Sequence, residues 1–434
     1  MKKIIKVSVF CATVLTLASS AQALDLNMFG ASAEVDFWTE AAPQFLAASV
    51  ADGGMGCTNV VSGKADSKNG VAKGFNCAGA PSGDNTVTLR YTADKSVEGP
   101  RAVMGMDPNN LDTCSTLVNT PSFGDDHYRM MANISDDGLT LSKGCNRVNL
   151  GASDVASESF TQESHGNMNG IYDTAPFNEV LDPSTIPGAD TPGMISLNPI
   201  FVPFSFFANK NLTATDNLTR LQAVLLMSGN VSNWSQFGYP AARVALCMRH
   251  AGSGTHATLD RAVMRGDRPL VINQNTPPAF VAAPTIYFHE SSSDLMKCVQ
   301  NNAGIATGAI AVGYADTDKT VSSIAADGSE VINAAYNNTK RLTYNGIGAG
   351  MSAGKTVSDI KTQIANGLYD FWSAQWIYMN TNQLVNLNAE AAANLMMAYA
   401  ANPATLPQAT KKYYWLAKNE LKVQKENDAV LPHF

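Results

Sequence analysis

The chain has little charge, and the charge it has is mostly negative. Only 15% of its 434 residues are charged, with 30 Lys and Arg against 37 Asp and Glu, which gives a net charge of −7. Nucleic acids and anionic membrane surfaces attract basic proteins, so neither is expected as a partner. Any anion that binds must be captured by local geometry, because the overall field repels it.

The chain also lacks an uninterrupted apolar run long enough to cross a bilayer. Its most apolar internal stretch, Met194 to Phe207, is broken by two prolines and is predicted as a buried strand. At the start, three lysines accompany a short apolar run, Val7 to Leu17, and a small-residue cleavage site follows at Ala21 to Ala23. This pattern is typical of a secretory signal peptide, so residues 1–23 are expected to be removed and the remainder exported without a lipid anchor.

Cysteine is scarce and lacks the spacing of a metal site. Apart from Cys11 in the apolar leader, the cysteines are Cys57, Cys77, Cys114, Cys145, Cys247 and Cys298. An even number in an exported chain favours disulfides, and neighbours in sequence are the favoured pairs because the first two pairs each bracket a polar, glycine-rich stretch. Other pairings stay open. Zinc is the alternative, but no pair has C-x-x-C spacing, so no metal or other cofactor is expected.

Strand-like and helix-like segments alternate along the chain. Leu24 to Phe29, Thr86 to Tyr91 and Arg147 to Leu150 are predicted as strands. Asn217 to Gly229 and Ser358 to Ala365 are predicted as amphipathic helices. Strands separated by helices indicate an α/β architecture with largely parallel sheets.

The stretch from Arg249 to Leu259, with the sequence RHAGSGTHATL, carries the strongest functional signal. A Gly-Ser-Gly turn leads into a predicted helix with Thr255 at its N-cap, so unpaired backbone N–H groups converge at one point. Arg249 adds a planar fork of donors suited to a tetrahedral oxyanion. The alternative interpretation is an ordinary capped loop with a surface arginine nearby.

Three other segments end a predicted strand with small hydroxyl or acidic residues before a helix or turn. They contain Ser32, Ser96 and Asp154. Taken singly, Ser32 and Asp154 are typical N-caps and Ser96 is typical of a surface turn. In open α/β folds, however, ligands bind where the carboxyl ends of strands meet helix N-termini, and the order of all four segments favours such a site.

These segments together resemble the periplasmic phosphate-binding proteins of phosphate ABC importers. The family's Gly-Ala-Thr-Phe-type turn corresponds to Gly30 to Ala33, and its Val-Asp-Phe-Gly-Ala-Ser-Asp phrase corresponds to Val148 to Asp154. Its Arg-x-x-x-Ser-Gly-Thr loop is present in full from Arg249 to Thr255. Weaker correspondences at Tyr91 to Gly99 and Gly308 to Tyr314 extend the resemblance over nearly the whole exported chain.

The resemblance implies a two-lobed periplasmic-binding-protein fold, in which each lobe is a mostly parallel sheet flanked by helices and the ligand cleft lies between the lobes. It places the first lobe at residues 24–200 with the Cys-bracketed insertions, the second at 201–317, and a return to the first lobe with C-terminal helices at 318–434. It further implies a non-catalytic, monomeric, periplasmic or secreted receptor that binds inorganic phosphate and delivers it to the membrane subunits of an ABC importer.

Carried over residue by residue, the resemblance gives a phosphate site made of Ser32, Ala33, Ser96, Asp154, Arg249, Ser253, Gly254 and Thr255. Asp154 would accept a hydrogen bond from the proton that phosphate retains at neutral pH and sulfate lacks. One departure from the family is Glu34, which stands where the family has proline and predicts a carboxylate near the site entrance. Two alternatives stay open: a secreted phosphate-ester hydrolase or surface protein on the same fold, and a receptor for another tetrahedral oxyanion.

Overall fold

A computed structural model describes most of the chain after the predicted leader. The described residues are 23–80, 85–106, 114, 127–160, 163–167, 176–180, 186–188, 191–266, 270, 285–301, 308–348, 355–381, 387–405, 413–425 and 431–433. The predicted signal peptide, apart from residue 23, lies outside them. In this part of the chain, no helix is both long and apolar enough to cross a membrane.

Strands and helices alternate over the described residues. The strands are β1 Leu24–Ala31, β2 Asn59–Lys64, β3 Asn69–Phe75, β4 Thr86–Asp94, β5 Tyr128–Ile134, β6 Leu141–Arg147, β7 Leu150–Ser153, β8 Glu163–Asn167, β9 Pro176–Val180, β10 Met194–Asn209, β11 Asn217–Leu218, β12 Arg243–Arg249, β13 Thr285–His289, β14 Ala309–Asp316, β15 Val321–Ile324, β16 Glu330–Ile332, β17 Thr339–Tyr344, β18 Trp372–Asn380 and β19 Leu416–Ala417. The α-helices are α1 Val35–Ala47, α2 Glu98–Val103, α3 Arg220–Met227, α4 Gly254–Thr258, α5 Ser292–Gln300, α6 Val357–Ala365 and α7 Leu387–Ala400.

The long strand β10 joins two groups of strands. Its residues 194–203 pair with β18, which continues through β7, β1, β4, β3 and β2; we call this group the first half. Its residues 204–209 pair with β14 and β17, and β14 continues through β12 to β13; we call this group the second half. One continuous strand therefore runs from one half into the other.

Each half has a parallel centre with antiparallel neighbours. In the first half β1 is parallel to both β4 and β7, and in the second half β12 is parallel to both β13 and β14. β10 pairs antiparallel with β14, β17 and β18. With helices packed on these strands, the predicted α/β class is confirmed. In both parallel groups the carboxyl ends of strands meet at one edge, which is where ligands bind in such folds.

Burial explains which segments became strands and helices. The second part of β10 is apolar and buried over nearly its whole length, as a strand covered on both faces must be. Helix α1 buries an apolar face that includes Phe37, Trp38 and Phe45, and this face packs on β3 and β4. Helix α5 buries Leu295 and Val299 toward β14 and leaves its charged face to solvent.

Three disulfides join Cys57 to Cys77, Cys114 to Cys145 and Cys247 to Cys298. This is the pairing of sequence neighbours that the spacing favours. The third disulfide fastens α5 to β12, the strand that ends at Arg249.

One predicted strand is wrong. Residues 147–150 do not form a single strand, because β6 ends at Arg147 and β7 begins at Leu150. The backbone N–H groups between them bond outside any regular ladder, Val148 to the His127 carbonyl and Asn149 to the Asn27 carbonyl. β-branching and alternation predicted extended backbone here but could not show where pairing with a neighbour stops.

Candidate functional site

The first half supplies a buried carboxylate to the site. Asp154 directly follows β7, and Ser96 follows the end of β4. The Ser96 hydroxyl donates a hydrogen bond to Asp154 Oδ2 at 3.0 Å, and both side chains are almost fully buried. Because β4 and β7 both run parallel to β1, their carboxyl ends lie at the same edge of the sheet. The structure thus brings together two residues that are far apart in sequence.

Ser32 and Ala33 lie at the end of the strand between these two. They form, with Glu34, a short 3-10 helix directly after β1, and both are half-buried. Ser32 is not the N-cap of an α-helix, because the α-helix α1 begins only at Val35. A tight turn here keeps the Ser32 and Ala33 backbone at the strand end, on the edge that carries Ser96 and Asp154.

The second half supplies the loop after β12. The helix there begins at Gly254, and its N-cap is Ser253, whose φ of −83° and ψ of 125° are extended; the prediction that Thr255 is the N-cap is wrong. Ser253 O accepts hydrogen bonds from the N–H groups of His256 and Ala257. The Ser253 hydroxyl is buried and makes no hydrogen bond to any described residue. Thr255 lies one residue inside the helix and is buried as well.

Arg249 is held in place by the neighbouring strand β13 and the start of α5. Its Nε donates to the His289 carbonyl at 3.3 Å, Nη2 to the Glu290 carbonyl at 2.6 Å, and Nη1 to the Ser292 hydroxyl at 2.7 Å. Only 3% of the residue is exposed. Burial lowers the pKa of the guanidinium, and the interactions with Tyr314 and with the negative charge of Asp154 oppose that shift. The group stays a cation in proteins, so it supplies a fixed positive charge.

The two halves meet at this point. A Cβ placed on Gly254 would lie 2.4 Å from Asp154 Cβ and 2.8 Å from Ser96 Oγ, so the Gly254 backbone packs directly against the hydrogen-bonded Ser96 and Asp154 side chains. The Val97 N–H also donates to the Gly252 carbonyl at 3.4 Å. A small apolar cluster spans the same junction, formed by Val97, Val155, Phe160, Ile186, Ala251 and Ala257. Asp154 and the Arg249 loop therefore face each other.

Behind Asp154 lies a polar network that the sequence did not predict. With its amide nitrogen facing the two carboxyl groups, Gln375 of β18 donates to Asp154 Oδ1 at 2.9 Å and to Glu34 Oε1 at 3.2 Å. The Trp38 indole donates to Glu34 Oε2 at 2.5 Å. Burial raises the pKa of Glu34 well above its usual range, and the charge of Asp154 raises it further.

The predicted position of Glu34 is wrong, and Gln375 is a further residue next to the candidate site. Glu34 does not lie at the site entrance: it is fully buried, because α1 and β18 cover it. Gln375 was not predicted from the sequence, although a glutamine in the middle of the buried strand Trp372–Asn380 is a signal that could have found it. A buried polar side chain needs a partner, so its presence in an apolar strand indicates a polar network.

The histidines and cysteines near Arg249 do not form an available metal site. Cys247, His289 and Cys298 lie together, but the two cysteines form a disulfide and offer no thiolate. His256 Nδ1 is 2.6 Å from Tyr314 Oη, which accepts the backbone N–H of Arg249. The His256 imidazole thus supports the Arg249 backbone through Tyr314.

Comparison with known proteins shows which superfamily this sequence matches. Residues 184–403 match the profile of a PBP superfamily domain. Similar solved structures include a phosphate binding protein from Stenotrophomonas maltophilia, at 14% identity over 91% of this chain and 90% of that one, with a TM-score of 0.45. An ABC-type phosphate transport receptor from Vibrio cholerae is 16% identical over 62% of this chain and 80% of that one, with a TM-score of 0.36. No curated protein sequence matches the chain.

Proposed function

The chain belongs to the PBP superfamily, and from this premise we propose that it is a receptor for inorganic phosphate. The motif-based resemblance to periplasmic binding proteins is thereby confirmed at the level of the superfamily. The ligand would lie between the carboxylate edge of the first half and the Arg249 loop of the second half. The proposed ligand-binding residues are Ser32, Ala33, Ser96, Asp154, Arg249, Ser253, Gly254 and Thr255.

One observation carries the proposal: a buried carboxylate faces a set of donors across the junction. Asp154 is 2% exposed, lies against the Gly254 backbone and is within the electrostatic reach of Arg249. The hydroxyl of Ser253, next to Gly254 in the same loop, has no hydrogen-bond partner among the described residues. Donors and a cation suit an anion, while a carboxylate repels one unless the ligand brings a proton. Phosphate brings both a negative charge and a proton at neutral pH. Sulfate brings only the charge.

Titration calorimetry with phosphate, sulfate and molybdate tests this assignment. We expect phosphate to bind more tightly than sulfate by roughly 10⁴-fold, as in sites that hydrogen-bond a ligand hydroxyl. Asp154→Asn should reduce the gap, because its amide can donate to a sulfate oxygen. Sulfate binding as tight as phosphate in the unmutated protein would contradict the proton-acceptor role of Asp154.

We further propose that the role is non-catalytic and that a monomeric, exported chain delivers phosphate to the membrane subunits of an ABC importer. The strand β10, which runs from one half into the other, is the kind of connection about which two lobes can close on a ligand. The lobe boundaries given above stay a prediction. A chromogenic phosphate ester separates this role from that of a hydrolase: turnover that disappears in Arg249→Ala would identify an enzyme.

A further inference from the structure

Two buried carboxyl groups share a single amide in this site. Glu34 is fully buried and Asp154 nearly so, and the Gln375 amide nitrogen lies within hydrogen-bond distance of both. Each group also accepts a hydrogen bond from a second side chain, Glu34 from the Trp38 indole and Asp154 from the Ser96 hydroxyl. Two negative charges that share one amide donor in a dry interior repel each other strongly. The arrangement is therefore stable only if one of the two carboxyl groups is neutral.

The surroundings determine which of the two stays neutral. Asp154 lies close enough to the Arg249 guanidinium to interact with its charge, whereas Glu34 has no ion pair among the described residues. The groups that face Glu34 are Trp38 on α1, Gln375 on β18, Asp154 after β7 and the Tyr91 phenol on β4. None of these is a cation. Glu34 is therefore the member that keeps its proton.

We propose that Glu34 and Gln375 are specificity-determining positioning residues of the anion site. Gln375 fixes the Asp154 carboxylate toward the ligand, and a protonated Glu34 limits the site to one negative charge of its own. When Glu34 loses its proton at alkaline pH, a second carboxylate stands behind the first, and the site rejects the phosphate anion. This inference rests on the proposed function.

The sign of the effect follows from linkage. A bound anion favours the neutral form of Glu34, so binding retains a proton there. The affinity for phosphate is highest at pH values below the pKa of Glu34 in the ligand-free protein, and it falls as the pH rises above that pKa. Above that point the loss approaches about tenfold per pH unit if the ionised form does not bind. Burial, which raises the pKa of Glu34, moves this window above the usual carboxylate range.

The inference is tested by titrating phosphate into the unmutated exported chain and into Glu34→Gln, at pH values from about 6 to about 9. Glutamine mimics the neutral acid, so the variant should bind phosphate within about threefold of the unmutated protein at the acidic end. The affinity ratio of variant to unmutated protein should then rise with pH; the ionisation of phosphate itself affects both proteins equally and cancels. Asp36→Asn is the matched control, an exposed acid on α1 paired with Lys64, and should keep the unmutated profile.

A measurement without any variant guards against a misfolded Glu34→Gln. Calorimetry of the unmutated protein in buffers of different ionisation enthalpy should show proton uptake on phosphate binding at alkaline pH, in excess of that from the ligand. A variant-to-unmutated affinity ratio that is constant with pH, or no excess proton uptake, would overturn the role of Glu34 and leave the phosphate receptor intact. Failure of the unmutated protein to bind phosphate at any pH would instead overturn the proposed function, and this inference with it.

Discussion

Alanine in place of Gly254 should block closure of the site without unfolding the protein. The added Cβ would lie 2.4 Å from Asp154 Cβ, 2.8 Å from Ser96 Oγ and 2.9 Å from Asp154 Oδ2. Each distance is shorter than van der Waals contact, and none of these three atoms is the far end of a long flexible side chain. The backbone N–H proposed to bind phosphate is retained, so the substitution tests the fit of the two halves alone.

The expected magnitude follows from the cost of overpacking. An extra methyl group in a close-packed contact costs about 1–3 kcal/mol. Under the proposed closing motion the cost falls on the closed form only, because separation of the two halves relieves the overlap. Affinity for phosphate should therefore fall by about 5- to 150-fold. The stability of the ligand-free protein should stay the same or rise slightly, since alanine is the better helix former by about 1 kcal/mol and Gly254 begins α4.

Titration calorimetry, combined with thermal unfolding with and without phosphate, measures both quantities. Gly188→Ala is the matched control, because a Cβ there would lie no closer than 3.6 Å to any neighbour. This control should bind phosphate like the unmutated protein. Unchanged affinity in Gly254→Ala would refute the close contact between Gly254 and Asp154. An equal loss in the control would show that the effect does not come from closure.

Two further predictions concern the disulfides and Glu34. Replacing both Cys247 and Cys298 by serine should lower the free energy of unfolding by about 2–5 kcal/mol. It should also weaken phosphate binding, because α5 is then no longer fastened to β12 and its first residue, Ser292, accepts a hydrogen bond from Arg249. The same change at Cys57 and Cys77, in the first half away from that arginine, should lower stability alone; calorimetry and denaturant unfolding compare the two. In the ligand-free protein, Glu34→Gln should be more stable than the unmutated chain, and the difference in the free energy of unfolding should grow as the pH rises above the ordinary glutamate pKa of 4.5. The reason is that the pKa of Glu34 is raised in the folded protein, so its ionisation opposes folding. Urea unfolding should show this difference growing by at most about 1.4 kcal/mol per pH unit, and a difference independent of pH would contradict a neutral Glu34.

Local patterns in the sequence predicted much of the fold. Alternation and β-branching located β1 and β4, an apolar stretch broken by two prolines located the long strand β10, and amphipathic periodicity located α6. These signals are carried by residues next to one another, so no partner strand is needed to detect them. Errors occurred where a neighbour decides the outcome: β6 ends and β7 begins within the predicted strand at 147–150, and Ser253 rather than Thr255 caps α4.

Chain order and residue type alone also determined the chemistry of the proposed site. A Gly-Ser-Gly turn after an arginine, and an Asp directly after a buried strand, each indicate their donors or acceptor without reference to other segments. Only the tertiary structure decided which groups meet. Gly254 lies against Asp154, and Gln375 reaches both Asp154 and Glu34, because β7, β12 and β18 converge there from distant parts of the chain. The burial of Glu34, and with it the charge of the site, depends on covering elements that no local pattern encodes.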